Sequence, residues 1–162
     1  MIDVADTSPI NYLVLIGHVE VLPPLLWSDP DSAVWEELQD VNTPDHVRGW
    51  VAQAPGWLKV RTLSNPPERS LSFLDRGERE AIALAIKVGA DRMIADESLA
   101  REEAKRRRLS VIGTLGVLRN AARANLLDLS EALRILQATN FYVAPELIQS
   151  LLDEDTARLR RQ

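Results

Sequence analysis

Along this chain the apolar positions switch repeatedly between short extended runs and a helical period. Ile2 to Ala5 predicts a short apolar strand that ends on Asp6 and turns straight into a helix. Thr7 or Ser8 is available to cap that helix, and Pro9 is pre-set for its first turn. From Pro9 to Gly17, Ile10, Leu13, Val14 and Gly17 share one face while Tyr12, Leu15 and Ile16 cover the other, the pattern of a buried helix. Leu25-Leu26-Trp27 predicts a second strand, the segment from Ser28 to Ser32 a turn and helix cap, and Ala33 to Val41 a helix with Val34, Trp35, Leu38 and Val41 as its apolar stripe. A helix from Pro44 to Gln53 and a strand from Trp57 to Val60 follow, then a loop from Ser64 to Ser70 containing Asn65-Pro66-Pro67.

The second half repeats the opening arrangement. A helix bracketed by Gly77 and Gly89 leads to the strand Met93-Ile94-Ala95, which again ends on an acid, Asp96, just before the charged helix Glu97 to Arg108. Val111-Ile112 predicts a fifth strand with a Gly113-Thr114 turn, and from Leu115 onward the chain reads as mostly helical, with Phe141-Tyr142-Val143 as a late strand or an extended link. Strands alternating with helices argue for a three-layer α/β/α fold around a parallel sheet of about four to five strands, joined by right-handed crossovers. The expected organisation is a single domain over residues 1–162, with a mostly helical part from about 115 to 162.

Composition narrows the chemistry. The 162 residues contain no cysteine and only two histidines, His18 and His46, so disulfides and thiolate metal sites are excluded and a metal would be held mainly by oxygen. No apolar run approaches the roughly 20 residues that span a bilayer, and no basic region followed by an apolar stretch opens the chain. A cytoplasmic, unprocessed protein with no membrane association is expected. The net charge of −5 gives no global attraction to nucleic acid, so an RNA substrate would need a local basic patch or a bound cation.

Four acids stand where α/β proteins hold their chemistry. The parallel order sends Asp6 and Asp96 to the carboxyl edge of the sheet, with Glu37 at the rim of an apolar helix stripe and Glu78 or Glu80 in the first turn of another helix. Each has an ordinary use: Asp96 as an N-cap, Glu37 as an edge residue reaching solvent, and the two glutamates as favourable charges on a helix dipole. Periodicity does not choose between Glu78 and Glu80, because both lie on apolar faces. Several carboxylates in one cleft repel, so either some stay protonated or a divalent cation compensates them. An all-oxygen site points to Mg²⁺ or Mn²⁺.

Taken together, Asp6-Thr7-Ser8-Pro9, Val34-Trp35-Glu36-Glu37-Leu38, the run from Gly77 to Ala85 and Ile94-Ala95-Asp96-Glu97 resemble a PIN domain. Gly113 to Leu118 and the closing stretch from Phe141 to Leu152 are similar to an uncharacterised prokaryotic PIN-like subfamily related to VapC-type toxins. The resemblance implies a PIN-like fold and a Mg²⁺- or Mn²⁺-dependent endoribonuclease, with Asp6, Glu37, Glu78 and Asp96 as its metal and catalytic residues. Glu78 is taken over Glu80 because its spacing to Gly89 and Asp96 fits the family layout. The same resemblance implies a toxin restrained by a small antitoxin-like protein, and a homodimer. The third acid is Asp in many members and Glu here, one methylene longer, which keeps open an alternative: a PIN-fold binding or regulatory protein with little or no nuclease activity.

Other features weigh less. Arg101, Lys105, Arg106, Arg107 and Arg108 crowd one helix and Arg119 and Arg123 the next, but Glu97 with Arg101, Glu102 with Arg106 and Glu103 with Arg107 form i,i+4 pairs that favour an ordinary solvated face over an RNA surface. Thr7, Ser8 and Thr114 are better explained as helix caps than as hydroxyls serving a site. The four tryptophans favour packing or an interface over base stacking. The stripe of Leu147, Ile148, Leu151 and Leu152 suits a dimer contact or ordinary packing. There is no Gly-x-Ser-x-Gly elbow, Gly-x-x-x-x-Gly-Lys loop or Gly-x-Gly-x-x-Gly turn, and Ser8 stands where a haloacid-dehalogenase-type enzyme wants its second Asp.

Overall fold

The computed structural model of the chain describes residues 2–22, 26–27, 33–59, 63 and 65–161. Five strands, β1 (Asp3–Ala5), β2 (Leu26–Trp27), β3 (Leu58–Lys59), β4 (Arg92–Ile94) and β5 (Val111–Ile112), form one sheet in the order β3-β2-β1-β4-β5, with every pairing parallel. The helices are α1 (Thr7–Leu15), α2 (Ala33–Gln39), α3 (Asp45–Ala52), α4 (Arg76–Val88), α5 (Ser98–Arg106), α6 (Thr114–Arg123), α7 (Leu129–Gln137) and α8 (Pro145–Leu159). This is the α/β arrangement expected from the sequence, and the two central strands β1 and β4 are covered by helices on both faces.

Alternation along the central strands builds two cores. Ala5 and Ile94 pack with apolar residues of α1, α2, α3, α6, α7 and α8, whereas Val4, Met93 and Ala95 pack with α4 and α5 on the opposite face. The register Val4 to Met93 and Ala5 to Ile94 places residues of like orientation side by side, so one pairing serves both cores. Glycine at position 89 ends α4 with φ at 60°, a left-handed conformation that favours this residue.

Some boundaries differ from expectation. The segment 140–143 is neither strand nor helix. It lies over α1 instead, where Phe141 meets Tyr12 edge to face at 4.8 Å and Tyr12 Oη donates to Asn140 Oδ1 at 3.2 Å. Val41 falls beyond the end of α2 and is exposed rather than on its apolar stripe. In α8, Ile148 and Leu151 are buried and Leu152 packs against them, while Leu147 remains exposed. Trp35, Trp50 and Trp57 pack against the first core, the latter two at 6.3 Å from each other. Leu25, the Ser28 to Ser32 turn, Val60, Ser64 and the side chain of Trp27 lie outside the described residues. No helix among the described residues is long and apolar enough to cross a membrane.

At the amino edge of the sheet Asp3 is wholly buried, and the guanidinium of Arg92 on the neighbouring strand grips it through Nε at 3.2 Å and Nη2 at 2.6 Å. Removing one partner strands a buried charge. Arg92→Met is expected to lower unfolding stability by about 2–3 kcal/mol in urea titrations at pH 7, a loss that Asp3→Asn in the same chain partly relieves.

Candidate functional site

Asp6 follows β1 directly and Asp96 follows β4 by two residues, so the β1–β4 pairing brings both to the carboxyl edge. The Asp6 N–H extends the ladder by donating to the Ile94 carbonyl at 2.9 Å. Asp6 is also the N-cap residue of α1, yet its side chain makes no bond across the first turn. Pro9 falls in that turn, buried under the helix start.

Thr7 and Thr114 are the first residues of α1 and α6, and neither caps its helix with its side chain. Thr7 Oγ1 donates to Glu37 Oε2 at 2.6 Å, linking α1 to α2. Thr114 holds both oxygens of Asp96, through its N–H at 2.8 Å and its Oγ1 at 2.6 Å. Here the structure corrects the sequence reading, which favoured these hydroxyls as helix caps; the N-cap that was the ordinary alternative for Asp96 is not its use either. Glu97 precedes α5 as its N-cap, and the Asp96 carboxylate turns across to α6 instead. A local pattern cannot reveal such a bond, because its partners stand far apart in the chain.

Glu78 is buried, 6% exposed, in the first turn of α4. It takes part in a capping box: its N–H donates to Asp75 Oδ1 at 2.8 Å and the Asp75 N–H donates back to Glu78 Oε2 at 3.1 Å. Glu80 accepts instead from Arg76, at 2.9 Å. Close approach around Gly77 shows how near the acids come: a Cβ there would lie 3.2 Å from both carboxylate oxygens of Glu37 and 3.4 Å from Asp6 Oδ1. Helices α2 and α4 pack together at this point, which is why a side chain is missing from it.

The electrostatics follow from this crowding. Asp6 is 4% exposed and its pKa is pushed up to about 7, first by burial and then by repulsion from Asp75, Glu78 and Glu37, against a lowering hydrogen bond from the Thr7 backbone. Burial also raises Glu78, with Asp75, Glu97 and Glu37 adding repulsion. Glu37 is raised by burial of its carboxylate although the residue as a whole is exposed, and the Thr7 hydroxyl and Arg76 work against the shift. Asp96 is raised by burial and held down by Thr114 and Arg101. Asp6, Glu37 and Glu78 therefore form one repelling group, with Asp75 as a fourth member that the sequence reading missed. Asp75 stands just before Gly77 as an N-cap, and its three-residue spacing to Glu78 was the available signal. Asp96 sits beside this group under Thr114 and Arg101.

No cationic side chain pairs with Asp6 among the described residues. Nor do three of their His, Cys, Asp or Glu side chains stand in a ready-made ligating arrangement. The donor chemistry nevertheless fits a hard divalent cation: the crowded groups are all carboxylates, desolvated and short of positive charge.

The structure is thus a parallel α/β fold with crowded, buried acids at the carboxyl edge of its sheet. The chain belongs to the PIN domain family: a family model of that description matches residues 2–156. Members of this family are generally nucleases that use divalent metal ions, and membership supports a nuclease-type function here. No curated protein and no solved structure matches the chain.

The Asp6 proton gives a direct readout of this environment. Its folded pKa near 7 lies above the ordinary 3.8, so its contribution to stability is fully present below about pH 4 and is lost as pH rises through about 7. Asp6→Asn removes that loss. Without divalent cations, the variant is expected to melt several degrees above wild type at pH 7.5, on the order of a few kcal/mol, with the gap closing at pH 4. Identical melting at both pH values would mean that Asp6 ionises in the folded chain without cost.

Proposed function

We propose that this chain is a Mg²⁺- or Mn²⁺-dependent endoribonuclease, organised as a single domain, in which Asp6, Glu37, Glu78 and Asp96 hold the cation. The observation that carries the reading is Asp6: a carboxylate buried among other carboxylates with no cation beside it among the described residues, a costly arrangement that a bound divalent ion would relieve. Bound there, the ion would supply charge neutralisation and Lewis acidity toward a phosphodiester. The protein's own part is positioning. The Thr7 hydroxyl fixes Glu37, the most exposed member of the set, and its raised pKa suits it to accept a proton from the attacking water. Thr114 fixes Asp96, and the Asp75 backbone fixes Glu78.

The finer assignment, a cytoplasmic toxin restrained by a small antitoxin-like protein and acting as a homodimer, rests on the similarity of Gly113 to Leu118 and of the Phe141 to Leu152 stretch to VapC-related proteins. One observation favours the second reading, a PIN fold that binds with little or no nuclease activity. Among the described residues no three acids stand together in a ligating arrangement, so the set must draw together before it closes on an ion.

Cleavage of single-stranded RNA by purified protein with Mg²⁺ or Mn²⁺ separates the two. Asp6→Asn and Asp96→Asn are expected to lower the rate at least about 100-fold, and Thr7→Val and Thr114→Val about 10–100-fold through loss of carboxylate orientation. If wild type and the Asn variants behave alike, the enzyme reading fails. Glu78→Gln against Glu80→Gln assigns the third acid: the former is expected to abolish cleavage, the latter to leave it within about threefold of wild type.

A further inference from the structure

Two hollows flank the acids, and they differ in charge. One, of about 630 Å³, lies between α1 and the end of α2 and is lined by Glu36, Glu37 and Asp40 with no basic residue among the described ones. The other, of about 830 Å³, runs between α1, the starts of α5 and α6 and the 140–147 stretch, and Arg101 and Arg119 line it and balance the charges of Asp96 and Glu97. Ser8, Tyr12 and Asn140 belong to both, forming the ridge between them.

Neither arginine of the larger hollow is fully engaged. The sequence pairs Arg101 with Glu97, yet no ion pair joins them, and Arg101 instead lays its guanidinium over Gly113, where an added Cβ would lie 2.5 Å from Nη1 and 2.9 Å from Asp96 Oδ1. Arg119 reaches Glu154 only at 3.9 Å, and its Nε is buried with no hydrogen-bond partner. The Arg119 side chain as a whole is 39% exposed, so its guanidinium remains open to an anionic ligand in the hollow. At the rim Tyr142 is 93% exposed, on a stretch anchored by the Phe141–Tyr12 contact.

We propose that this hollow is the track for single-stranded RNA, with Arg101 and Arg119 receiving backbone phosphates and Tyr142 stacking on a base. The inference rests on the nuclease reading and deepens it by fixing on which side of the acids the strand lies. The opposite hollow repels a phosphate backbone. Two cations with an exposed aromatic ring suit an unstacked strand, because a ring meets a base face only where the base is free of a duplex.

The test is fluorescence anisotropy of a labelled single-stranded RNA with chelator present, so that binding is read without cleavage. Arg101→Ala and Arg119→Ala are each expected to weaken binding about five- to tenfold and to reduce the salt slope by about 1. Tyr142→Ala is expected to weaken it about tenfold with the slope unchanged, and its exposure means that its loss leaves the fold intact. Arg134→Ala removes the same charge from α7, away from the hollow, and should bind as wild type. Wild-type binding by all three hollow variants, or tighter binding of duplex RNA, overturns the proposal. If those variants bind normally while wild type cleaves RNA with Mg²⁺, the track is wrong and the nuclease reading survives. If binding depends on the three residues but wild type does not cleave, the track stands and the nuclease reading falls.

Discussion

Two three-residue strands, hydrogen-bonded in parallel at the centre of the sheet, decide where the buried acids of this chain sit. In an antiparallel pairing of β1 with β4, Asp6 and Asp96 would leave the sheet at opposite edges. The register is equally constrained. A slip of one residue would exchange Val4, Met93 and Ala95 with Ala5 and Ile94 between two cores of different shape. Packing on both faces thus holds the pairing, and the acids inherit their places from it.

The same strand shows what is unusual about Asp6. Asp3 and Asp6 stand at the two ends of β1 and both are buried, but Asp3 has the Arg92 guanidinium on its oxygens while Asp6 has no such partner among the described residues. Around Asp6 the neighbours are acids, and the groups that steady the carboxylates are a threonine hydroxyl and backbone N–H groups. Dipolar donors orient a carboxylate without neutralising it, so the group keeps its demand for positive charge. An arginine in their place would give a more stable fold and leave nothing for a cation to do.

What the sequence reveals follows from the range of the forces involved. Short apolar runs ending on an acid, and helices bracketed by Gly77 and Gly89, are local signals, and they were enough for the strand order to be read as parallel and for Asp6 and Asp96 to be placed at one edge. The hydroxyl bonds of Thr7 and Thr114 were misread because a threonine at a helix start has a common local use, while its real partner here lies 30 or 18 residues away. Phe141-Tyr142-Val143 has the composition of a strand, but the described sheet ends at β5 and the segment packs on Tyr12 instead. Arg101 was assigned to Glu97 by spacing alone. Rotamer choice and the space over Gly113 sent it elsewhere.

Charge placement finally reconciles an acidic chain with an anionic substrate. At a net charge of −5 the protein as a whole repels RNA, and screening at physiological salt confines any attraction to within about 8 Å. Selectivity then depends on which cations are left uncommitted rather than on how many there are. Arg76, Arg107, Arg123 and Arg134 are tied to carboxylates. Arg101 and Arg119 are held less completely, and both face the same hollow next to Asp96. Two such cations beside the acids offer a polyanion a local attraction on an acidic chain. Under the proposed reading that approach leads to the carboxylates, whose charge a bound divalent ion would offset.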